Sequence, residues 1–205
     1  EKALTIGTPS WSAGTKGPVT GTAVLAPSTD EELAAAKERL RGAWVISTGR
    51  AAEKYRVAYE DAGAAGVIRS SGSEFIHTYG NPRIAWESLP RQVLVNMVAS
   101  QHKTIVEHLK AGRKVTLTID VQNTFVKGPI RQYNVIADLL GAERTDEFVI
   151  VGGHIDSWDG STGTTDNATG VAATMEAARL LVKAGARPRR TIRFMLWGGE
   201  EQGLL

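Results

Sequence analysis

A group of residues in the last third of the chain can bind a metal ion or transfer a proton. They lie in two separate stretches, GGHIDSWDGSTGTTDNATG and GGEEQG, and are His154, Asp156, Asp166, Glu200 and Glu201. Neutral imidazole and carboxylate oxygens are both good zinc ligands, and a catalytic zinc site keeps one position open for water. If these side chains meet in space, they favour metal-assisted hydrolysis.

The surrounding residues predict which elements carry these side chains. FVIVGG (148–153) is a short, continuously apolar run, typical of a strand that is covered on both faces. The apolar residues from Ala168 to Lys183 follow helical spacing, and TIRFMLWGG (191–199) is a second β-rich run. A strand, a helix and a strand in this order predict a βαβ unit with parallel strands.

Parallel strands would bring the candidate residues together, because ligands bind beyond the carboxyl ends of such strands. His154 follows the first strand and Asp166 precedes the helix, whereas Glu200 and Glu201 follow the second strand. Asp166 is the candidate to bridge two metal ions, and Asp156 is placed to accept a hydrogen bond from His154. One glutamate would bind metal and the other would act as general base, and the spacing leaves open which does which.

Each candidate also has an ordinary structural explanation. A single histidine after a strand is commonly a satisfied polar residue, and Asp166 or Asn167 could simply cap the following helix. Two adjacent glutamates after a strand are commonly the solvated start of a helix. The coincidence of all of them at one sheet edge favours a metal site over these separate explanations.

The first part of the chain predicts a separate domain. Its first forty residues indicate short strands and turns, and within them a helix over about 31–40 that Asp30 would cap. Further strands are predicted at 43–48, 65–69, 92–97 and 114–121, and further helices at 52–61 and from Ser100 to Gly112. Gly128-Pro129 interrupts the pattern and predicts a boundary between domains at 1–127 and 128–205.

Composition narrows the functional classes. The chain has 205 residues, a net charge of +2 and no cysteine, so a disulfide framework is excluded. Its densest basic run, RPRR (187–190), lies in a predicted turn and favours a solvated corner over a nucleic-acid interface. No apolar run approaches the roughly 18 residues of a membrane span, and the first residues are not expected to act as a signal peptide.

Several stretches resemble a known enzyme family. GGHIDSWD, TDNATGVAATMEAARLL and RTIRFMLWGGEEQGLL resemble the successive motifs of the co-catalytic di-zinc exopeptidases, the aminopeptidase and plasma glutamate carboxypeptidase type. GAWVIST, AGAAGVI and LPRQVLVNMV are similar to the protease-associated domain often inserted in these enzymes. The resemblance implies an α/β protein: a β-rich protease-associated domain, then the first part of a parallel or mixed-sheet zinc-peptidase domain.

The resemblance also implies a role for each candidate residue. His154 would bind one zinc ion, Asp166 would bridge both ions, and Glu201 would bind the second. Glu200 would be the general base and Asp156 would orient His154. The implied reaction is attack of metal-activated water on a peptide bond at one end of a short peptide, by a secreted or periplasmic enzyme.

The family pattern requires a further Asp and a further His downstream of Glu201. We therefore expect the 205-residue chain to hold an incomplete two-zinc site, to bind zinc weakly and to be inactive, whereas a longer parent is active. The strand at 191–197 would lack the later strands beside it. Its exposed edge is expected to promote self-association.

The sequence is also compatible with other functions. The alternatives are a non-catalytic peptidase-like scaffold, a protein-interaction module built on the protease-associated domain, or a single-metal hydrolase of another lineage. Aminopeptidase and carboxypeptidase specificity are equally compatible with the motifs. Surface or structural roles are expected for His77, His102 and His108. The sequence is compatible with a place for Trp197 in a substrate pocket and at least equally with core packing.

Overall fold

The computed structural model describes residues 2–76, 78–80 and 83–203. Its backbone contacts divide the chain into two compact units, Glu1–Lys127 and Gly128–Leu205, which we call unit 1 and unit 2. Among the described residues, no helix is both long enough and apolar enough to cross a membrane.

Unit 1 is a mixed sheet with helices packed against both faces. Its elements are β1 (Ile6–Gly7), β2 (Val19–Leu25), α1 (Asp30–Leu40), β3 (Trp44–Ser47), α2 (Arg50–Glu53), α3 (Arg56–Asp61), β4 (Gly66–Ser70), a single 3₁₀ turn (Trp86–Ser88), β5 (Val93–Met97), α4 (Ala99–Lys110) and β6 (Thr116–Ile119). The strand order is β1-β5-β4-β3-β2-β6. Strands β2 to β5 run parallel to one another, and the edge strands β1 and β6 are antiparallel to their neighbours.

Two apolar clusters, one on each face of this sheet, form the core of unit 1. Trp44 and Ile46 of β3 belong to one cluster together with Ile105 of α4. Val45, between them, belongs to the other cluster together with Leu40 of α1. Successive side chains of a strand point to opposite faces, so the unbroken apolar run in β3 fits a strand covered on both sides. Each fully buried side chain of this size contributes about 1.5–3 kcal/mol to stability.

Two helix starts in unit 1 differ from the sequence prediction. Thr29, not Asp30, caps α1, and its hydroxyl accepts a hydrogen bond from the Glu32 amide at 3.2 Å. Ser100 lies inside α4, where its amide and hydroxyl both donate to the Glu74 carboxylate at 2.8 Å. A carboxylate distant in sequence therefore satisfies an amide in the first turn of α4, which a local motif does not reveal.

The helix predicted over 52–61 is interrupted. The structure has α2 and α3 instead, and the chain leaves helical geometry at Tyr55, where φ is −98° and ψ is 9°. The Tyr55 ring is buried in the second core cluster with Tyr59, and its hydroxyl donates to Asp30 at 2.7 Å. Tertiary packing of this ring thus accompanies a break that the helical spacing does not show.

Unit 2 is a three-stranded sheet with one long helix. Its elements are β7 (Val135–Leu139), β8 (Arg144–His154), an irregular turn (Thr164–Ala168), α5 (Thr169–Lys183) and β9 (Arg190–Trp197). The strand order is β7-β9-β8, with β8 parallel and β7 antiparallel to β9. The predicted strand–helix–strand unit with parallel strands is therefore present, and the α/β fold class is confirmed. Strand β7 and the first residues of β8 were not predicted.

Two expectations for unit 2 are wrong. Strand β9 lies between β7 and β8, so both of its edges are paired, and the unpaired edges of this sheet belong to β7 and β8. The run in β8 is not covered on both faces, because Phe148, Val149 and Ile150 are 46%, 48% and 62% exposed. The apolar pattern shows that these residues favour burial, but it does not show what covers them.

Candidate metal centre at the ends of strands β8 and β9

The candidate residues of unit 2 lie at one edge of its sheet. In the parallel register of β8 and β9, His154 is paired with Trp197, and the Ile155 amide donates to the Trp197 carbonyl at 2.8 Å. Both strands therefore end at the same level. The residues after β9, which include Glu200 and Glu201, therefore start beside His154 at the end of β8. This is the arrangement expected for parallel strands.

Asn167 fixes the approach of the irregular turn to β8. Its side-chain oxygen accepts a hydrogen bond from the Gly170 amide at 3.1 Å. A Cβ atom on Gly153 would lie 3.0 Å from the Asn167 side-chain nitrogen, and one on Gly170 would collide with the Asn167 side-chain oxygen. Glycine at both positions allows Asn167 to fit between β8 and α5, which places the preceding Asp166 beside the end of β8.

His154 is surrounded by hydrogen-bond acceptors on both ring nitrogens. Its Nδ1 lies 3.1 Å from the Asp156 backbone oxygen and 3.4 Å from Asp156 Oδ1. Its Nε2 lies 2.9 Å from Asp166 Oδ1 and 3.8 Å from Glu200 Oε2. The ring is buried, with 8% of the residue exposed. A ring in these surroundings either carries protons on both nitrogens or directs the Nε2 lone pair at a cation.

Asp156 connects the two segments that form the site. Its Oδ1 accepts a hydrogen bond from the Glu200 amide at 3.3 Å, and its Oδ2 accepts one from the Glu201 amide at 3.2 Å. Its backbone oxygen and its Oδ1 also lie 3.1 Å and 3.4 Å from Nδ1 of His154. Asp156 therefore lies where it can orient the histidine, and it also holds the backbone of the glutamate pair.

The glutamate pair completes a compact group. A ring nitrogen of His154 and one carboxylate oxygen from each of Glu200 and Glu201 all lie within 4.8 Å of one another. Burial raises the pKa of Glu201, and the negative charges of Asp166, Glu200 and Asp156 raise it further, against the opposing effect of His154. Like charges gathered at this distance favour either proton uptake or a bound cation.

The pKa of His154 is shifted in the direction that a cluster of carboxylates predicts. Burial alone lowers the pKa of this ring, but the hydrogen bond to the Asp156 carbonyl and the charges of Glu200 and Asp166 outweigh burial and raise it. The electrostatic potential at Nε2 is therefore negative, and a negative potential attracts a divalent cation.

The donor set fits a zinc ion. Two atoms that bind one zinc ion at about 2.1 Å can be at most about 4.2 Å apart, so separations up to 4.8 Å need only a small side-chain adjustment. The Asp166 side chain is 75% exposed and the Glu200 side chain 40% exposed, which leaves them free to move. The buried Nδ1 contact to the Asp156 carbonyl would keep the Nδ1 proton in place and leave Nε2 for the metal.

The other histidines lie in unit 1. His102 is buried, and its Nε2 donates to the Ser47 carbonyl at 3.0 Å. His108 lies on α4 with its Nδ1 3.0 Å from an Arg113 guanidinium nitrogen. Both have the structural or surface surroundings expected for them. His77 lies outside the described residues.

Trp197 is partly buried and packs against the backbone of β8. A Cβ atom at Gly152 would lie 2.5 Å from Trp197 Cζ3, so Gly152 provides room for the ring. The indole nitrogen of Trp197 is buried without a hydrogen-bond partner among the described residues. These contacts support core packing for Trp197.

Sequence reasoning did not identify Asn167 as a residue that shapes the site. From the sequence, Asn167 is expected only as a possible cap of the following helix. The available signal was its position directly after Asp166, together with the glycines at 153 and 170 that make space for it.

Known proteins are similar to this chain. Residues 134–205 match the model of peptidase family M28. Rattus norvegicus carboxypeptidase Q is 36% identical over 110 residues, which cover 54% of this chain and 21% of that protein. The structure of an M28 peptidase precursor from Shewanella amazonensis SB2B superimposes with a TM-score of 0.64 at 28% identity, covering 100% of this chain and 50% of that one.

A zinc aminopeptidase from Bacillus subtilis shares the fold, with a TM-score of 0.63 at 20% identity over 98% of this chain and 47% of that protein. The chain thus spans about half the length of the solved structures that it matches and a smaller part of the curated relative. The expected similarity to exopeptidases of the aminopeptidase and carboxypeptidase type is confirmed.

Proposed function

We propose that this chain, whose residues 134–205 match peptidase family M28, forms part of a zinc-dependent exopeptidase that hydrolyses peptide bonds at one end of a peptide. The observation that carries the proposal is the group at the ends of β8 and β9. There a buried imidazole and the carboxylates of Asp166, Glu200 and Glu201 lie together.

Three residues of this group are assigned as zinc ligands: His154 through Nε2, Asp166 as the bridge between two ions, and Glu201. Zinc bound there would supply positive charge that lowers the pKa of water and polarises a peptide carbonyl. The 2.9 Å contact of His154 Nε2 with Asp166 and the position of a Glu201 oxygen within 4.8 Å of the same ring support the assignment.

Glu200 is assigned as the general base. Its carboxylate lies near the ring of His154, and 40% of its side chain is exposed, so both water and substrate can reach it. It would accept a proton from the attacking water and return it to the departing amine. Asp156 holds the Glu200 amide at 3.3 Å and so positions the base rather than reacting itself.

The geometry alone also allows Glu200 to bind metal, because it lies in the same compact group as Glu201. The separate roles of the two glutamates come from the family resemblance. Substituting each glutamate in turn distinguishes these possibilities.

The site in this chain is incomplete for two zinc ions. Among the described residues, His154, Asp166 and Glu201 are the proposed ligands, whereas a catalytic zinc ion usually has three protein ligands and two ions need more than three in total. The 205-residue chain is therefore proposed to bind zinc weakly and to lack peptidase activity, with the remaining ligands supplied by a longer polypeptide.

Unit 1 is proposed to be a protease-associated domain, and the parent enzyme to be secreted or periplasmic. Support comes from the resemblance of GAWVIST, AGAAGVI and LPRQVLVNMV to that domain. In this arrangement unit 1 would take part in substrate access or in binding other proteins, while unit 2 would carry the chemistry.

Calorimetric titration of zinc into the chain tests the assignment. We expect a dissociation constant weaker than about 1 µM, and at least about tenfold weaker binding in H154A, D166N and E201Q. E200Q should bind zinc as the unsubstituted chain does. D146N, which removes an exposed carboxylate of β8, is the matched control.

Three results would contradict the proposal. Equal affinity in H154A and D146N would show that zinc binds elsewhere. Lost binding in E200Q together with unchanged binding in E201Q would reverse the two glutamate roles. Cleavage of aminoacyl or dipeptide substrates by the chain itself would show that further ligands are unnecessary.

A further inference from the structure

Unit 1 contains a cleft that the proposed peptidase chemistry does not use. Its volume is about 730 Å³, and it opens at the carboxyl ends of the parallel strands β3 and β4, beside α4. Ligands commonly bind beyond the carboxyl ends of parallel strands. Clefts of roughly 300–1,000 Å³ are the size that accommodates small organic molecules.

The lining of this cleft is strongly basic. Four cationic side chains and one carboxylate face it: Arg50, Arg69, Lys103, Lys110 and Glu53. The net charge of +2 for the whole chain is smaller than the excess of positive charge at this single place. Positive charge concentrated in a concave site raises the local concentration of anions.

Most of this positive charge is not neutralised within the protein. Within residues 2–76, 78–80 and 83–203, no carboxylate lies in ion-pair distance of Arg50, Arg69 or Lys110. Lys103 has a weak, exposed contact with Glu107 at 4.0 Å. The charges therefore remain available to a ligand.

Arg69 is held in position by a neutral group. Its Nε donates to the Asn96 side-chain oxygen at 2.6 Å, and the residue is partly buried at the end of β4. A neutral amide orients the guanidinium without cancelling its charge. An oriented guanidinium binds carboxylate or phosphate oxygens in pairs, with less entropy to lose than a free side chain.

Uncharged polar groups complete the cleft. The buried ring of His102 donates from Nε2 to the Ser47 carbonyl, and burial lowers its pKa despite that hydrogen bond, so the ring remains neutral at pH 7. The hydroxyls of Ser47, Thr48 and Ser70 lie among the basic side chains. The hydroxyls can donate hydrogen bonds to an anion in addition to the charge, whereas the single N–H of neutral His102 is already used by the Ser47 carbonyl.

We propose that this cleft binds a small organic anion that carries two or more carboxylate or phosphate groups. Four cations match several anionic groups better than one, and the volume of the cleft exceeds that of a single inorganic phosphate. The ligand would place one anionic group against Arg69 and another between Arg50 and Lys110.

Isothermal titration of the full chain with citrate and with inorganic phosphate, at low ionic strength, tests the proposal. We expect citrate to bind with one-to-one stoichiometry and more tightly than phosphate. The variants R50Q and K110Q change exposed side chains and should keep the fold, which circular dichroism verifies. Each should weaken citrate binding about tenfold or more, because each substitution removes a charged hydrogen-bond donor from the anion.

Lys37→Gln is the matched control, because it removes one exposed positive charge outside the cleft. Its citrate affinity should stay within a factor of about two. Absence of citrate binding, or equal weakening in K37Q, R50Q and K110Q, overturns the proposal. Tighter binding of phosphate than of citrate would overturn the assignment to a ligand with several anionic groups.

Discussion

Acceptors on both ring nitrogens of His154 define what the candidate site can do. Because Nδ1 faces the Asp156 carbonyl and Nε2 faces Asp166, the ring has a fixed orientation before any ligand arrives. In metal-binding histidines, the ring nitrogen that does not bind the metal usually donates a hydrogen bond that fixes the orientation of the ring. The same arrangement explains why the surrounding carboxylates raise the pKa of this ring despite its burial.

Glycine at positions 153 and 170 should be required for both stability and metal affinity. Gly153→Ala and Gly170→Ala would each push a methyl group against Asn167, at an expected cost of about 1–3 kcal/mol in the free energy of unfolding. Displacement of Asn167 should move Asp166 and weaken zinc binding. Chemical denaturation and zinc titration measure the two effects.

Gly49→Ala is the control for these two variants, because a Cβ atom there meets nothing within 4 Å. It should leave the free energy of unfolding within about 1 kcal/mol of the original value. If G153A and G170A change the free energy of unfolding and the zinc affinity no more than G49A does, Asn167 does not need glycine at positions 153 and 170.

At the residue scale, the sequence predicted which side chains approach one another but not how each is held. His154, Asp166 and the glutamate pair could be placed together because a parallel strand pair has only one carboxyl edge. The hydrogen bonds from the Glu200 and Glu201 amides to Asp156 depend on loop geometry, which residue spacing does not determine. The contact of Asn167 with two glycines likewise depends on how closely β8 and α5 approach.

The packing of α4 against the sheet makes unit 1 sensitive to pH. Burial lowers the pKa of His102 below its ordinary value, so below that ordinary value the unfolded chain takes up a proton more readily than the folded one. The free energy of unfolding should therefore be highest above the ordinary pKa of histidine and should fall as the pH decreases through it.

Urea denaturation at pH 7.5 and pH 5.5, followed through the amide signals of β3, measures this effect. His102→Gln keeps a donor for the Ser47 carbonyl but cannot titrate, so it should lose part of the difference between the two pH values. His108→Gln, at the more exposed histidine of the same helix, is the control. An unchanged pH difference in H102Q would contradict the prediction.

At the scale of elements, strongly periodic or fully apolar segments were predictable, and segments defined by distant partners were not. Strand β3 and helix α5 follow from their own residues. Strand β7 was missed because its five residues, VIADL, do not alternate between apolar and polar, and its pairing with β9 joins segments far apart in sequence. The start of α4 depends on Glu74, which lies far from it in the chain.

The surface of unit 2 predicts association between copies of the chain. Large apolar side chains are at least about half exposed on its strands and helix, at Val135, Ile136, Phe148, Val149, Ile150, Met175, Leu180 and Val182. Exposed apolar surface of this extent favours contact with another surface. Sedimentation velocity should show larger species as the concentration rises.

Ile150→Glu should shift this equilibrium toward the monomer, because each buried apolar side chain of this size contributes about 1.5–3 kcal/mol. Val57→Glu, at an apolar residue of unit 1 that is 67% exposed, is the matched control and should have little effect. A chain that stays monomeric at all accessible concentrations would show that this surface does not self-associate.

The middle position of β9 in its sheet should give the two sides of the candidate site different protection from deuterium exchange. Hydrogen bonds to both neighbours should make the amides of β9 the slowest in unit 2 to exchange with deuterium, and Glu200 and Glu201 follow directly from that strand. Asp166 instead comes from an irregular turn with an exposed side chain. Zinc should therefore slow deuterium exchange mainly in residues 164–168, because this turn lies outside the sheet and would gain a bond to the metal through Asp166.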